Sequence, residues 1–283
     1  MIKLNHLQKN YASFKLDCTL EVKKGYVTGL IGRNGSGKTT TFKALLGLFK
    51  PDGGQATFLG KDAFSMTPQD RQNIGVVLSN SSFSKEFTVE EIASVLAQLY
   101  IRFDKDLYFS LIDQYSLPRK KKTKEFSTGM MAKLKLIIAM THEAKALILD
   151  EPTASLDVIA RDELLDMLRD YMDQDEERAI LISSHISTDL EQLCDDLYVI
   201  NDGQVIFHED TDTLLSDYAT LKVSVEDYTN LDKTHLLCSE ETSYGYTCLT
   251  NQKQYYLENY PAIVIENSSI DTVYSAIIKE ASL

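Results

Sequence analysis

The octapeptide Gly32-Arg33-Asn34-Gly35-Ser36-Gly37-Lys38-Thr39 decides the fold, because it fits the pattern G-x-x-x-x-G-K-[ST]. It stands between Val27 to Ile31, an apolar run that predicts a buried strand, and Thr39 to Phe49, which predicts a helix ended by Pro51-Asp52-Gly53-Gly54. In this setting glycine leaves backbone N–H groups open to a phosphate, and the helix start adds its own unpaired N–H groups. We expect this loop to bind the phosphates of a nucleotide.

The same loop predicts which side chains hold that nucleotide. Lys38 supplies a positive charge to the β- and γ-phosphate oxygens, and the Thr39 hydroxyl is a candidate Mg²⁺ ligand. The expected nucleotide-binding residues of the loop are Asn34, Gly35, Ser36, Gly37, Lys38, Thr39 and Thr40. The alternative is an accidental match, which average residue frequencies give for about one chain in a hundred of this length.

The composition places the chain among globular proteins. It has 283 residues, of which 43% are hydrophobic and 25% charged, and its formal net charge is −13. An acidic chain is a poor partner for the phosphate backbone of DNA or RNA, so we expect no nucleic-acid binding. The four cysteines are too sparse for a disulfide framework, and neither a signal peptide nor a run of about 18 apolar residues is present. We therefore expect a cytoplasmic protein.

Strand and helix patterns alternate along residues 1–210, which predicts βαβ units and a parallel sheet. A capping box formed by Thr88 and Glu91 opens a predicted helical stretch over residues 86–117. The remaining predicted elements are period-two strands before residue 24, strands at Leu147–Leu149 and Ile180–Ile182, a helix over Arg161–Met172 and a hairpin turn at Asn201-Asp202-Gly203.

The composition changes after about residue 210. Residues 211–283 hold eleven acidic side chains against four lysines, and eight of the 15 tyrosines of the chain. Apolar runs predict strands at Leu221–Val225, Tyr244–Leu249 and Ala262–Ile265, and a final helix over Ile270–Lys279. We expect a small C-terminal α/β appendage there.

Two acids follow the apolar run Ala146 to Leu149. A carboxylate at the C-terminal end of a parallel strand lies beside the phosphate loop, so Asp150 is a candidate Mg²⁺ ligand. We expect Glu151 to point to the other side of the sheet, where it polarises a water for attack on the γ-phosphate. His185 follows the next predicted strand, so we expect it to lie beside the same nucleotide. A lone histidine is more often a structural residue, but this position favours a catalytic one.

The phosphate loop, the acid pair and the histidine after them together resemble the motifs of the ATP-binding subunits of ABC transporters. Phe126-Ser127-Thr128-Gly129-Met130 is similar to the signature sequence of that family, usually L-S-G-G-Q, and stands in the same place between phosphate loop and acid pair. Asp157 matches the family's D-loop, and Tyr11 matches the aromatic residue that stacks on adenine. The likeness covers residues 1–210. It looks most like the bacterial export branch that moves antibiotics and amphipathic peptides such as bacitracin or phenol-soluble modulins.

The resemblance implies a fold and a mode of action. The fold is a phosphate-loop NTPase core of ABC type, with a mixed sheet, an antiparallel β subdomain and a helical subdomain at about 80–135. Two subunits, identical or different, pair head to tail and clamp ATP and Mg²⁺ between the phosphate loop of one and Ser127 and Gly129 of the other. The dimer drives a separate membrane permease, so the chain is expected on the inner face of the cell membrane through that partner alone. Its expected activity is ATP hydrolysis coupled to transport.

One departure from the family pattern bears on hydrolysis. The family places Gln, sometimes Glu, after the strand that corresponds to Ile74 to Leu78, whereas this chain has Ser79-Asn80. The short Ser79 side chain reaches less far toward Mg²⁺ and the attacking water, which lowers the rate or the coupling. The alternative, that Asn80 serves after a one-residue shift, is equally consistent with the sequence. Met130 in place of Gln is a milder change.

Other functions remain open at this point. Because the Gln is missing, a second hypothesis is a switch that clamps ATP and hydrolyses it poorly. A third hypothesis is an ABC protein that does not act in transport. The basic run from Arg119 to Lys124 is typical of a solvated loop, while attraction to a membrane or permease is the minority interpretation.

Overall fold

The computed structural model describes residues 1–79 and 83–280. Its strands are β1 (Ile2–Asn10), β2 (Lys15–Val22), β3 (Val27–Ile31), β4 (Gly53–Phe58), β5 (Lys61–Asp62), β6 (Ile74–Val77), β7 (Ala146–Asp150), β8 (Ala179–Ser183), β9 (Asp196–Asn201), β10 (Gln204–Asp210), β11 (Ala219–Val223), β12 (Leu236–Thr242), β13 (Gly245–Thr250) and β14 (Val264–Asn267). Its α-helices are α1 (Lys38–Leu45), α2 (Pro68–Arg71), α3 (Val89–Leu99), α4 (Lys105–Gln114), α5 (Thr128–Met140), α6 (Val158–Asp173), α7 (Ser187–Leu193), α8 (Thr211–Ser216), α9 (Val225–Asn230), α10 (Lys253–Asn259) and α11 (Ile270–Glu280).

A ten-stranded mixed sheet carries the phosphate loop. Its strand order is β5-β4-β1-β2-β10-β9-β3-β8-β7-β6, with antiparallel pairing in the N-terminal part and parallel pairing among β9, β3, β8, β7 and β6. Every residue of β3, β7 and β8 is buried, as expected for parallel strands covered on both faces. The mixed α/β class and its antiparallel part are confirmed, and so is the hairpin between β9 and β10.

Successive residues of the central strands belong to two different hydrophobic clusters. In β7, Leu147 and Leu149 pack in the cluster that contains α5 and α6, whereas Ala146 and Ile148 pack in the cluster that contains α1. Because side chains alternate along a strand, each central strand anchors helices on both of its faces. This two-sided packing fixes the strand ends from which the site residues project.

Two predicted helices have different bounds from those expected. The helix over Thr39–Phe49 ends at Leu45, because Gly47 has a φ of 65° and an added Cβ there would lie 2.7 Å from the carbonyl oxygen of Ala63. The stretch 86–117 is two helices, since Asp104 caps α4 by accepting a hydrogen bond from the backbone N–H of Leu107 at 2.8 Å. The capping box of Thr88 and Glu91 is confirmed.

A second, antiparallel sheet of order β12-β13-β11-β14 forms from the C-terminal residues. The predicted strands there exist with shifted bounds, while β12 and the helices α8, α9 and α10 were not predicted. Helix α11 packs against the large domain: Val273 is 2% exposed, Asp271 accepts a hydrogen bond from the Ser187 hydroxyl at 2.8 Å, and Glu191 accepts one from the backbone N–H of Ile270 at 2.8 Å. The division at residue 211 stays a prediction.

In the part of the chain that is described, no helix combines the length and the apolar character needed to cross a membrane.

Candidate nucleotide site

The phosphate loop joins β3 to α1 in a tight backbone turn. Gly35 and Gly37 have φ angles of 84° and 114°, a region that side chains with a Cβ rarely adopt. An added Cβ at Gly32 would lie 2.5 Å from the carbonyl oxygen of Ile200, so the loop approaches β9 too closely for any other residue. Helix α1 begins at Lys38 with no side chain bonded to its first-turn N–H groups. Those donors and the helix dipole are therefore available to an anion.

Lys38 is 6% exposed, and its side chain packs against the backbone of the phosphate loop. Its Nζ donates hydrogen bonds to the carbonyl oxygens of Gly32 at 2.7 Å and Arg33 at 3.3 Å, and lies 3.4 Å from Glu151 Oε1. The ammonium is thus held at the mouth of the loop by backbone carbonyls. A triphosphate would meet a positive charge already in place.

Most of the predicted site residues line one cavity of about 770 Å³ beside this loop. Those that line it are Tyr11, Asn34, Gly35, Gly37, Lys38, Thr39, Thr40, Ser79, Asp150, Glu151 and His185. Ser36 does not, because its side chain is buried in the loop and its hydroxyl has no hydrogen-bond partner. Asn80, the alternative to Ser79, lies outside the described residues.

Three hydroxyl groups surround the carboxylate of Asp150, which is 1% exposed at the end of β7. Thr39 Oγ1 donates to Asp150 Oδ2 at 2.8 Å, and Ser79 Oγ donates to the same oxygen at 3.3 Å. Ser183 Oγ donates to the other oxygen, Oδ1, at 3.0 Å. Carboxylate and hydroxyl oxygens are the hard ligands that Mg²⁺ prefers, with waters and phosphate oxygens completing its shell. No cluster of three or more metal-binding acids, histidines or cysteines occurs among the described residues.

Glu151 faces the same cavity as Asp150, which corrects the expectation that it points to the other side of the sheet. The strand ends at Asp150 and Glu151 has a φ of 54°, so the alternation of side chains along β7 does not extend to it. Its Oε2 is 2.5 Å from His185 Nδ1 and accepts a hydrogen bond from the His185 backbone N–H at 3.2 Å. Its Oε1 is buried without a hydrogen bond, 3.4 Å from Lys38. Glu151 is therefore held by His185 on one oxygen and lies beside the Lys38 ammonium with the other.

The signature residues lie outside the cavity that the phosphate loop of the same chain lines. Ser127 is the N-cap of α5, accepting a hydrogen bond from the backbone N–H of Met130 at 3.2 Å, and lines a second cavity of about 470 Å³. An added Cβ at Gly129 would lie 3.2 Å from the Cβ of Ala160, so this glycine allows α5 to approach α6. Asp157 caps α6 through the backbone N–H of Ala160 at 2.9 Å. Within the described residues, Ser127, Gly129 and Asp157 do not line the nucleotide cavity.

Sequence reasoning missed Ser183, which positions both acids. Besides its bond to Asp150, its hydroxyl accepts a hydrogen bond from the backbone N–H of Glu151 at 3.1 Å, and its carbonyl accepts from the same N–H at 3.1 Å. The available signal was a polar residue ending the apolar strand Ala179–Ser183, paired in register with Asp150. Ser13 and Phe14, which also line the cavity, carried no comparable signal.

A glycine loop between a parallel strand and a helix, a hydroxyl-bound aspartate and a glutamate–histidine pair together define a phosphate-loop nucleoside triphosphatase. The sequence model of the ABC transporter family matches residues 16–154. ABC transporter ATP-binding protein YtrB of Bacillus subtilis is 30% identical over 233 residues, which are 82% of this chain and 79% of that protein. The chain belongs to the ATP-binding proteins of the ABC transporter family.

Two further relatives share the cassette. The bacitracin transport ATP-binding protein BcrA of Bacillus licheniformis is 33% identical over 210 residues, 73% of this chain and 68% of that protein. The lantibiotic transport ATP-binding protein SrtF of Streptococcus pyogenes is 30% identical over 216 residues, 75% of this chain and 92% of that protein. The expected likeness to the bacterial antibiotic branch is confirmed.

Solved structures agree with this assignment. The ATP-binding subunit of an ABC transporter superposes with a TM-score of 0.68 at 26% identity, covering 76% of this chain and 91% of the other. A dimeric ATP-binding cassette bound to ADP and Pi has the same fold, with a TM-score of 0.66 at 18% identity over 75% of this chain and 99% of the other. The chain is an ATP-binding ABC ATPase.

Proposed function

We propose that this chain hydrolyses ATP within a dimer and thereby drives a separate membrane permease that exports a peptide antibiotic or a similar amphipathic peptide. The observation that carries the proposal is the cavity lined together by the phosphate loop, Asp150 and the Glu151–His185 pair. The signature residues Ser127 and Gly129 lie outside that cavity, which is what a site completed by a second chain requires.

The roles of the residues follow from their contacts. Thr39 and Asp150, with Ser79 beside them, would hold Mg²⁺, which when bound neutralises charge on the phosphates. Lys38 binds the β- and γ-phosphate oxygens. Glu151 orients a water and takes its proton, while His185 on Oε2 and Lys38 beside Oε1 fix the Glu151 carboxylate. Tyr11, half exposed at the rim of the cavity, stacks on the base.

The partners are proposed from the relatives. One is named for bacitracin transport and another for lantibiotic transport, and a cassette of the same fold was solved as a dimer. We infer a homodimer or a heterodimer with a second ATP-binding subunit, held on the inner face of the membrane by a permease. Ser127 caps the N-terminus of α5, and a helix N-terminus is suited to the γ-phosphate of ATP on the neighbouring subunit.

Ser79 supports a second candidate, a switch that clamps ATP and hydrolyses it slowly. Its hydroxyl is 3.3 Å from Asp150 Oδ2, where a longer amide would extend further into the cavity. A shorter side chain leaves the attacking water with one fewer partner. The switch predicts low turnover together with ATP-dependent dimerisation.

The test compares Glu151→Gln with Glu177→Gln, an exposed glutamate paired with Lys24 away from the site. We expect Glu151→Gln to bind ATP and to dimerise in ATP and Mg²⁺, with turnover reduced at least about 100-fold, because general-base catalysis contributes that much. Glu177→Gln should match the unaltered chain. Turnover is measured by phosphate release and dimerisation by sedimentation. Equal, low turnover of all three proteins favours the switch, and a Glu151→Gln chain that stays monomeric in saturating nucleotide contradicts the shared site.

Export is tested in cells that lack the gene for this chain. We expect greater susceptibility to bacitracin or a lantibiotic, restored by the Glu177→Gln chain and not by the Glu151→Gln chain. Unchanged susceptibility to a panel of such peptides would contradict the proposed cargo class and leave the ATPase assignment intact.

A further inference from the structure

A further, partly open cavity adjoins the phosphate loop, between that loop and the C-terminal sheet. It has a volume of about 690 Å³, which lies in the range of small-molecule sites. Strands β12 and β13 and helix α11 form most of its lining. Thr220 of β11 and Arg33 of the phosphate loop supply the remaining part, and Arg33 also lines the nucleotide cavity. One residue of the phosphate loop therefore borders both spaces.

The lining is apolar at its base and hydroxyl-bearing at its sides. Leu249 is 4% exposed and Ile278 is 5% exposed, while Thr247 and Ser275 add hydroxyl groups. Such a surface suits a ligand with a hydrophobic body and a small number of polar atoms.

The charge balance of the lining is positive. Glu240 and Lys279 neutralise each other as an ion pair at 2.7 Å, which leaves the Arg33 guanidinium as the uncompensated charge among the described lining residues. The ion pairs of arginine in the described part of the chain involve Arg102, Arg119, Arg161 and Arg169. Arg33 lies instead against the Tyr274 hydroxyl of α11, whose pKa is raised by burial and lowered by the Arg33 charge and hydrogen bonds. A planar guanidinium that has no ion-pair partner among the described residues, at the edge of an apolar cavity, favours a carboxylate.

We propose that this cavity binds a small amphipathic anion, namely a medium-chain carboxylate, and that this binding weakens the binding of ATP. The carboxylate group contacts Arg33, and the hydrocarbon body packs against Leu249 and Ile278. This goes beyond the proposed export function and requires neither the permease nor hydrolysis.

The coupling follows from the position of Arg33. One guanidinium cannot give two anions its full set of donors, and two anions on either side of it repel each other. The carboxylate therefore competes with the phosphates for the charge of Arg33. Linkage is reciprocal, so ATP must weaken binding of the carboxylate by the same factor.

Binding is tested on the full chain with decanoate as the probe, below its micelle-forming concentration, by titration calorimetry. We expect saturable binding of one decanoate per chain, with decanol at least about 10-fold weaker, because the alcohol lacks the charge that Arg33 meets. Vesicles of phosphatidylglycerol form a separate arm that distinguishes a free anion from a membrane surface. Binding to vesicles without binding to decanoate, or equal affinity for decanol, overturns the proposal.

Cavity-filling variants locate the binding. Ser275→Trp places an indole in the cavity from an exposed position of α11, and Ser243→Trp, in the exposed β12–β13 turn outside the cavity, is its control. We expect Ser275→Trp to weaken decanoate binding at least about 10-fold and Ser243→Trp to leave it unchanged. Thr247→Trp enters from β13, on the face that Leu249 shares, and serves if Ser275→Trp does not fold. Equal decanoate affinities in the filled and control variants place the ligand elsewhere and overturn the proposal.

Coupling is measured as ATP affinity with and without saturating decanoate, in the Glu151→Gln chain so that no turnover intervenes. We expect ATP affinity to fall at least about fivefold, and decanoate affinity to fall by the same factor in saturating ATP. In Ser275→Trp, decanoate should leave ATP affinity unchanged. Unaltered ATP affinity in the presence of bound decanoate overturns the coupling. Because the readout is binding, this outcome is independent of whether the chain hydrolyses ATP.

Discussion

Ser183 links the two acids of the site at the level of single side chains. Its hydroxyl donates to Asp150 at 3.0 Å and accepts from the backbone N–H of Glu151 at 3.1 Å. It is completely buried, so water cannot replace either bond. Within the described residues Ser183 does not line the nucleotide cavity, so it acts by positioning the two acids.

Ser183→Ala should lower ATP turnover about 10-fold while ATP affinity changes little. A hydrogen bond to a buried carboxylate contributes about 1.5–3 kcal/mol, and each 1.4 kcal/mol lost from the transition state is about a tenfold rate. Ser184→Ala is the matched control, because the Ser184 hydroxyl is equally buried but accepts from the backbone N–H of Ile186. Steady-state kinetics and urea unfolding are compared for both. An equal loss of turnover in the control would assign the effect to general destabilisation.

At the level of elements, His142 joins the end of α5 to β6. The ring is 2% exposed and stacks on Tyr100 with centroids 4.1 Å apart. Its Nδ1 lies 3.1 Å from the carbonyl oxygen of Ile138, and its Nε2 lies 3.3 Å from that of Ile74. Burial lowers the pKa of His142, against the opposing effect of these carbonyls. The neutral ring is therefore the form that packs between helix and strand.

The free energy of unfolding should fall on acidification because of His142. With its folded pKa below the unfolded value of about 6.5, the unfolded chain binds the proton first, so this contribution is present above about pH 6.5 and is lost below it. At pH 5.5 the expected loss is at most about 1.4 kcal/mol. Urea unfolding at pH 7 and pH 5.5 is compared with His142→Gln, which cannot titrate. The same pH-dependent loss in both proteins would mean that other groups cause it.

The elements that sequence reasoning found are those whose signals are local. The phosphate loop and the capping box of Thr88 and Glu91 each depend on residues within a few positions. The break between α3 and α4 depends on distant partners, since Gln72 accepts from the backbone N–H of Ile101 at 3.1 Å and the carbonyl of Thr141 accepts from that of Asp104 at 2.8 Å. No window of the sequence contains both sides of those bonds.

Contacts with residues distant in the sequence also explain why sequence reasoning misplaced Glu151 and missed strand β12. Glu151 takes a positive φ that places it with Asp150 only because the loop after β7 packs against Ser183. Strand β12 has leucines at one end and acids at the other, without a continuous period-two pattern, and its pairing with β13 defines it. Strand alternation alone therefore assigned the wrong face to Glu151.

At the scale of the whole molecule, the C-terminal residues share a hydrophobic core with the nucleotide-binding part. Ile270, Val273 and Ile278 of α11 belong to the same buried cluster as Leu190 of α7 and Leu214 of α8. Helix α11 also brings Tyr274 against Arg33 of the phosphate loop. Motion of α11 is thus expected to reach the phosphate loop through packing and one side-chain contact.

Val273→Asp should release α11 from this core. Losing the burial of one valine costs about 2 kcal/mol, so amide hydrogen exchange in α11 should accelerate about 30-fold or more. Val264→Asp, at a 58% exposed position of β14 in the same sheet, is the control and should leave exchange in α11 unchanged. Exchange is followed by mass spectrometry. An α11 that exchanges as slowly in Val273→Asp as in the unaltered chain would show that it is not held by this packing.

The separation of Ser127 from the phosphate loop has a genetic consequence for a homodimer. In a mixed dimer of one chain disabled at Lys38 and one chain disabled at Ser127, both defects lie in the same one of the two shared sites. The other site is intact. Mixing equal amounts of two inactive proteins should therefore restore about one quarter of normal turnover, since about half of the dimers are mixed and each has one working site. Complementation between two dead alleles would then mark this chain as its own partner.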